Sequence, residues 1–264
     1  MKNTVFILIF WMLLLPPISQ AAMTGKDIMN EQSTRQAVDT ESTTEIMLLV
    51  DKSGHKEKRI MKRYAKKVDS DLNRFLVVFL KPADVRGTAL LTWEQEDRDD
   101  DQWMFLPAQK RTRRIAKGSK KSYFMGTDFT YEDMEPEDID NFDYTILRSE
   151  TIKKKHCWVI EAVPANPKKR AESSYAKRTL WITKDSYFTL KIDFFDRQGN
   201  KIKTLSNHSI VNVKGAVWRP NKVLVNNYKK KHKTLVGVKR RKIDEAIRND
   251  LFTERYLLQG KHVQ

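Results

Sequence analysis

Phe188-Thr189-Leu190-Lys191-Ile192-Asp193-Phe194-Phe195, then Asp196-Arg197-Gln198-Gly199-Asn200, then Lys201-Ile202-Lys203-Thr204-Leu205, reads as a strand, a tight polar turn and a second strand. In the first run Leu190, Ile192 and Phe194 alternate with Lys191 and Asp193. This is the period-two pattern that sends one set of side chains to a core and the other to solvent. The turn consists of residues that accept Asx-type or left-handed backbone. The same unit recurs in both directions along the chain, and that recurrence sets the fold class.

Upstream, residues 45–50 and 56–66 flank the turn Asp51-Lys52-Ser53-Gly54. Residues 74–80, 88–94, 102–106, 144–147, 157–163 and 178–183 follow as short strands between polar turns, and 210–213, 222–227 and 234–239 continue the series downstream. So many short strands at hairpin spacing predict a mainly β (α+β) protein with a strongly curved antiparallel sheet or open barrel. No strand–helix alternation argues for a parallel sheet. One helix is expected over residues 24–39, starting at the Thr24-Gly25 cap region, and one or two short turns within the acidic stretch 131–139.

The chain has 264 residues, with 50 Lys+Arg against 34 Asp+Glu and a net charge of +16. That is enough apolar material for a real core in one domain. A single cysteine, Cys157, excludes an intramolecular disulfide framework and a four-cysteine zinc site. Residues 1–21 read as a secretory signal: Lys2, then an apolar run over 5–15, then Pro16-Pro17 and small residues at Ser19 and Ala21. The run is shorter than the roughly 20 residues a spanning helix needs. The mature domain is therefore expected to be residues 22–264, exported and not itself a lipoprotein. Export changes the meaning of basic runs such as Lys229-Lys230-Lys231 and Lys239-Arg240-Arg241-Lys242. Outside the cytoplasm the polyanions are lipid head groups, glycolipids and acidic protein surfaces, and nucleic acid is not an expected partner.

Catalytic patterns are lacking. The five histidines share no metal-ligand spacing, so neither a metal nor a cofactor is expected. Gly118-Ser119-Lys120 lacks the upstream glycine of a phosphate loop, and no Gly-x-Ser-x-Gly elbow occurs. The cluster Glu96-Asp97-Arg98-Asp99-Asp100-Asp101 has no calcium-loop glycine and reads as a solvated hairpin tip. Cys157, among Trp158, Val159 and Ile160, reads as a buried strand residue. The protein is not expected to be an enzyme. Large aromatics, Trp181 among them, lie on predicted strands, and the candidate apolar face drawn from such strands is Phe75, Val77, Phe79, Leu91, Trp93, Trp103, Phe105, Trp158, Ile160, Leu190, Ile192 and Phe194. They suit either a packed core or an apolar face for acyl chains.

Several segments resemble one family. They are Arg74-Phe75-Leu76 leading to Lys81-Pro82-Ala83-Asp84-Val85-Arg86-Gly87-Thr88, then Asp99-Asp100-Asp101-Gln102-Trp103-Met104-Phe105-Leu106-Pro107, and Arg113-Arg114-Ile115. The most specific is Phe124-Met125-Gly126-Thr127-Asp128-Phe129-Thr130-Tyr131-Glu132-Asp133, and Asp250-Leu251-Phe252-Thr253 with Arg255-Tyr256-Leu257 completes the set. Together these resemble the outer-membrane lipoprotein-sorting protein family, similar in fold to the LolA and LolB carriers. The resemblance implies a half-open antiparallel barrel with an N-terminal helix and short lid helices, a periplasmic location, and association with exporters of the resistance-nodulation-division type. It also implies that the twelve apolar residues above form a face for lipid or lipoprotein cargo; peripheral contact with an anionic membrane surface is expected separately, from the basic charge of an exported chain. The Phe124–Asp133 signature reads as structural: Gly126 for an unusual backbone, Asp128 and Thr130 for nearby backbone donors. Two functions follow as expectations. One is a carrier or chaperone that shields hydrophobic cargo on its way to the outer membrane. The other is an accessory or sensor subunit docking on an envelope transporter.

Overall fold

The computed structural model describes residues 23–68 and 72–263; the expected leader, residues 1–21, lies outside them. The strands are β1 (Thr40–Val50), β2 (Lys56–Lys67), β3 (Asn73–Lys81), β4 (Ala89–Trp93), β5 (Asp101–Leu106), β6 (Arg111–Arg114), β7 (Phe142–Ile152), β8 (Lys155–Pro164), β9 (Lys177–Thr183), β10 (Thr189–Phe195), β11 (Lys201–Lys214), β12 (Val217–Asn227) and β13 (His232–Ile243). Helices α1 (Gly25–Gln36), α2 (Pro167–Glu172) and α3 (Glu254–Leu258) accompany them. All thirteen strands join one curved, open sheet in the order β6-β5-β4-β3-β2-β1-β13-β12-β11-β10-β9-β8-β7, with every pairing antiparallel.

That order has a simple logic. Each half, β1–β6 and β7–β13, is a meander of hairpins, the least costly way to pair strands that follow one another. The halves meet where β1 pairs with β13. The two edges, β6 and β7, are consecutive in sequence, so residues 115–141 must run from one edge to the other. The two faces differ in what covers them. The inner face, defined here as the one that carries residues 115–141 and α1, holds Met47, Leu49, Met61, Val77 and Phe79 in one cluster and Ile160, Leu180 and Ile182 in another.

The halves also exchange arms. Helix α1 precedes β1 yet packs Ile28 and Met29 against Phe142, Ile160, Leu180 and Ile182 of the other half. The C-terminal segment follows β13 yet packs Phe252 and Leu257 on Leu76, Val78, Leu91 and Phe105 of the first half, on the outer face. Helix α1 begins at the expected position. Thr24 caps it, with the Asp27 amide donating to Thr24 Oγ1 at 3.1 Å and the Thr24 amide donating to Asp27 Oδ2 at 2.8 Å. Gly25 is required by proximity, since a Cβ there would lie 2.6 Å from the Tyr144 carbonyl oxygen of β7.

Several expectations need correction. Residues 201–205 and 210–213 are one strand, β11. Its polar middle, Ser206 to Ser209, keeps the β11–β12 register unbroken although Ser209 takes a positive φ of 49°, and the ladder's one shift falls later, between Asn212 and Lys214. Strand β6 carries three arginines and no apolar alternation, and α2 and α3 are single short turns held by side-chain caps, so none of the three had a periodic signal. Glu96 to Asp101 is only partly a solvated tip. Asp101 is buried and paired with Arg98 and Arg114, and Asp99 is paired with Lys117 and, at 2.8 Å, Lys168. In so basic a protein, cations from neighbouring segments draw those aspartates inward.

Candidate functional site

The inner face of β1–β5 and β13 is an apolar floor made by Met47, Leu49, Met61, Val77, Phe79, Leu90, Met104 and Val236. Over it lies the crossing segment, residues 115–141. Its regular structure is limited to 3-10 turns at Lys117–Ser119, Phe124–Gly126, Glu132–Met134 and Ile139–Asn141. The lid helices implied by the resemblance are thus single turns, as the acidic stretch suggested. Phe124, 1% exposed, stacks on Phe79 with ring centroids 5.6 Å apart, and Tyr131 meets it edge-on at 5.8 Å. Met125, Phe129, Tyr131 and Met134 complete the layer.

The backbone that seats Phe124 is tightly bent. Met125 and Gly126 both take positive φ, 46° and 75°. A side chain disfavours that region and glycine does not, so Gly126 serves the role the sequence suggested. The Phe124 amide donates to the Phe129 carbonyl at 2.7 Å, closing the loop, and Arg59 of β2 donates to the Met125 carbonyl at 2.6 Å.

Polar side chains fasten the cover to the sheet. Asp128 is fully buried; its Oδ2 accepts from Thr234 Oγ1 at 2.8 Å and lies 2.7 Å from His232 Nδ1, both on β13. Its partners are therefore side chains, where nearby backbone donors were expected. Thr130 does behave as expected, accepting the Asp133 amide at 3.2 Å while its own amide donates to Asp133 Oδ2 at 2.6 Å. Glu132 accepts from Ser173 Oγ at 2.7 Å and the Ser174 amide at 2.6 Å. Lys203 of β11, 2% exposed, is ion-paired with Asp133, donates to the Asp128 carbonyl at 3.2 Å, and lies 4.5 Å from the Phe194 ring centroid. Tyr175 donates to Asp133 at 2.9 Å, and burial followed by the Asp133 charge pushes its phenol well above the ordinary value. Sequence reading passed over Lys203. Its cross-strand partner Phe194 was the available signal, because it places a lysine on an inward position.

A second polar cluster sits at the root of the cover. Lys120 pairs with Glu135 and donates to the Asp100 carbonyl at 3.2 Å. Burial pushes Glu135 up to about 7 against the pull of Lys120, and burial likewise lifts Asp100 to about 6.

The twelve candidate face residues do not share a face. By strand register and packing, Phe75, Val77, Phe79, Trp158, Ile160, Ile192 and Phe194 belong to the inner side. Leu91, Trp93, Trp103 and Phe105 pack outward under the C-terminal arm. Leu190 also points outward, into a cluster with Val159, Trp181 and Phe188. The cause is a register shift between Thr189 and Lys191, which breaks the expected sharing of one face by Leu190, Ile192 and Phe194. Cys157 is buried among the same outer residues, and burial raises its thiol. Among the described residues no group of three or more His, Cys, Asp or Glu is placed to hold a metal ion.

A family model described only as that of an uncharacterized protein matches residues 71–259. No curated protein matches the chain. Among solved structures, a candidate outer membrane lipoprotein-sorting protein domain from Vibrio parahaemolyticus is 28% identical, with a TM-score of 0.83 over 89% of this chain and 98% of that one. A DUF1329 family protein from Desulfovibrio piger is 26% identical, with a TM-score of 0.82 over 88% and 97% of the two chains. A LolA superfamily protein from Nitrosomonas europaea, 18% identical with a TM-score of 0.69 over 89% and 100%, shares the fold. A curved, open antiparallel sheet with its inner face bridged by a signature-bearing segment thus accompanies the sequence match, and the chain belongs to the DUF1329 family, within the LolA-like fold.

Proposed function

We propose that the protein is a non-catalytic periplasmic carrier whose inner apolar floor receives a lipid, a lipoprotein acyl chain or another hydrophobic cargo, for delivery toward the outer membrane. One observation carries this reading: the floor of Met47, Leu49, Met61, Val77 and Phe79 is roofed by a strap of single turns, where a fixed core would pack a regular element. Each methylene of a cargo chain that replaces Phe124, Phe129 or Tyr131 there gains about 0.8 kcal/mol. Displacing the strap therefore exchanges one apolar contact for another. Phe75, Val77 and Phe79 on one side, with Trp158, Ile160, Ile192 and Phe194 on the other, are the inner-face positions from which cargo contacts are expected. The leader-like residues 1–21 support export, and the relatives' link to lipoprotein sorting supports the cargo class. In this reading an exporter of the resistance-nodulation-division type is the transport partner, and an anionic membrane surface is the peripheral contact.

Native mass spectrometry with lipid extraction, on protein purified from the periplasm without detergent, tests the proposal. The expected result is a stoichiometric lipid or acylated peptide, with faster hydrogen exchange over residues 115–141 in the loaded form than in the empty one. A clean mass that stays clean after exposure to lipid vesicles would sink the carrier. It would favour the second reading, an accessory or sensor subunit docking on an envelope transporter. That reading draws on the floor being already filled by the protein's own Phe124, Phe129 and Tyr131.

A further inference from the structure

The outer face of the sheet is covered by the C-terminal arm over β3–β5 and carries the Trp181 cluster over β8–β10. Between them the arm reaches Tyr64, Ser42 and Lys242, and Trp218 joins the Trp181 cluster, while among the described residues nothing covers the middle of β2, β1, β13 and β12. A row of aliphatic side chains runs across these four strands in register: Ile60 beside Ile46, then Leu48 beside Leu235, and Leu235 beside Leu224. Val50 extends the row along β1. These side chains are half-buried except Leu235, which is 36% exposed at the centre of the row.

The surrounding charge has one sign. Lys58 stands opposite Leu48, Lys56 and Lys233 opposite Val50, Lys62 and Arg240 opposite Thr44, and Lys222 opposite Gly237. Among the described residues none of these six side chains makes an ion pair or a hydrogen bond. The carboxylates of the same four strands, Glu41, Glu45 and Glu57, take the inner side of the alternation. There they meet Arg219 and Arg241, Arg63, and Arg59. On the middle of these strands the acids thus lie inward, while Lys56, Lys58, Lys62, Lys222 and Lys233 lie outward.

We infer that this face docks on an anionic lipid surface. Aliphatic side chains flanked by cations match a bilayer interface, where apolar groups enter the acyl boundary and lysine stems reach back to phosphate. A protein partner fits less well. Protein interfaces favour arginine and aromatic residues and are poor in lysine, whereas five of these six cations are lysines and no aromatic side chain joins the row. All four strands are paired on both sides, so no edge is free for strand addition. The inference rests on the reading that the protein works beside a membrane and is independent of the cargo. Vesicle docking and cargo mass are separate readouts, so either can fail alone.

The full exported chain is floated with vesicles of phosphatidylethanolamine containing a quarter phosphatidylglycerol, and with vesicles of phosphatidylcholine alone. Association with the anionic vesicles only, weakened by salt, is expected. The pair Lys58→Glu with Lys233→Glu lowers it at least about tenfold. The pair Lys110→Glu with Lys154→Glu, which makes the same charge change on exposed turns away from the face, lowers it less than about threefold. Leu235→Asn, which removes the apolar contact without adding charge, also weakens docking while thermal melting of every variant stays near that of the parent. Equal losses for the two charge-reversal pairs, equal affinity for neutral vesicles, or no association with either vesicle overturns the inference. The last outcome would assign the face to an acidic protein.

Discussion

Lys203 fastens the cover to β11 from inside the sheet. It is fully buried, and its ammonium is satisfied only because Asp133, the Asp128 carbonyl and two aromatic rings converge on it. Removing one partner of a buried pair leaves the other charge uncompensated, which costs about 3–5 kcal/mol. Lys203→Met therefore destabilises by that order in denaturant unfolding, and adding Asp133→Asn restores part of the loss. A second substitution that worsens the first would show that the two side chains do not act as a pair. The same residue marks a limit of sequence reading. A lysine in an alternating strand is assigned to solvent, and only knowledge that Phe194 lies across from it places it inside.

At the scale of elements, residues 115–141 respond to pH through their root. Glu135 and Asp100 titrate at about 7 and about 6 in the folded protein, above the usual carboxylate range, because burial disfavours their charged forms. The folded state therefore holds these protons more tightly than the unfolded one, so their contribution is complete near pH 4 and is lost as pH rises through 6 and 7. Hydrogen exchange over residues 117–135 should quicken between pH 5 and pH 8 beyond its intrinsic base catalysis. Glu135→Gln, which stays neutral, should flatten most of that excess; an unchanged excess in this variant would place the pH response elsewhere. The strands themselves were largely legible. Alternation and turn chemistry located the hairpins around Asp51 to Gly54 and Asp196 to Asn200, where Asp51 and Asp196 accept backbone amides as Asx turns do. Facing was not legible. Strand β3 is apolar on both sides, with Leu76 and Val78 outward and Val77 and Phe79 inward, and a single bulge at Thr189 to Lys191 moves Leu190 away from Ile192. One-residue steps of this kind leave no mark in composition.

For the whole molecule, the family signature gains a physical meaning from topology. Phe124 to Asp133 lies midway along the one stretch of chain that joins the two sheet edges, so its glycine, aromatic and acidic positions meet the demands of a bridge. The signature was legible as special; its place above the floor was not, because nothing local announces that β6 and β7 stand at opposite ends of thirteen strands. Charge is sorted at this scale too, with Glu41, Glu45 and Glu57 turned inward and a row of lysines along the middle of the same strands turned outward.

The exchange of arms between the halves has a consequence for how the chain can be divided. Residues 23–116 and 119–263 each contain an uninterrupted meander, and among the described residues no ladder other than that between β1 and β13 joins them. Each half also wears an arm of the other: α1 reaches one way, the C-terminal segment the other. A break at Lys117 or Gly118 severs the covalent bridge while leaving every strand pairing in place. Two separately made polypeptides divided there should recognise each other and reassemble into a 1:1 particle, detectable by co-elution. If they pass through the column apart, the ladder and the borrowed arms are too weak to act as an interface. In that light the chain is two complementary subunits written as one gene product, with the signature segment as their linker.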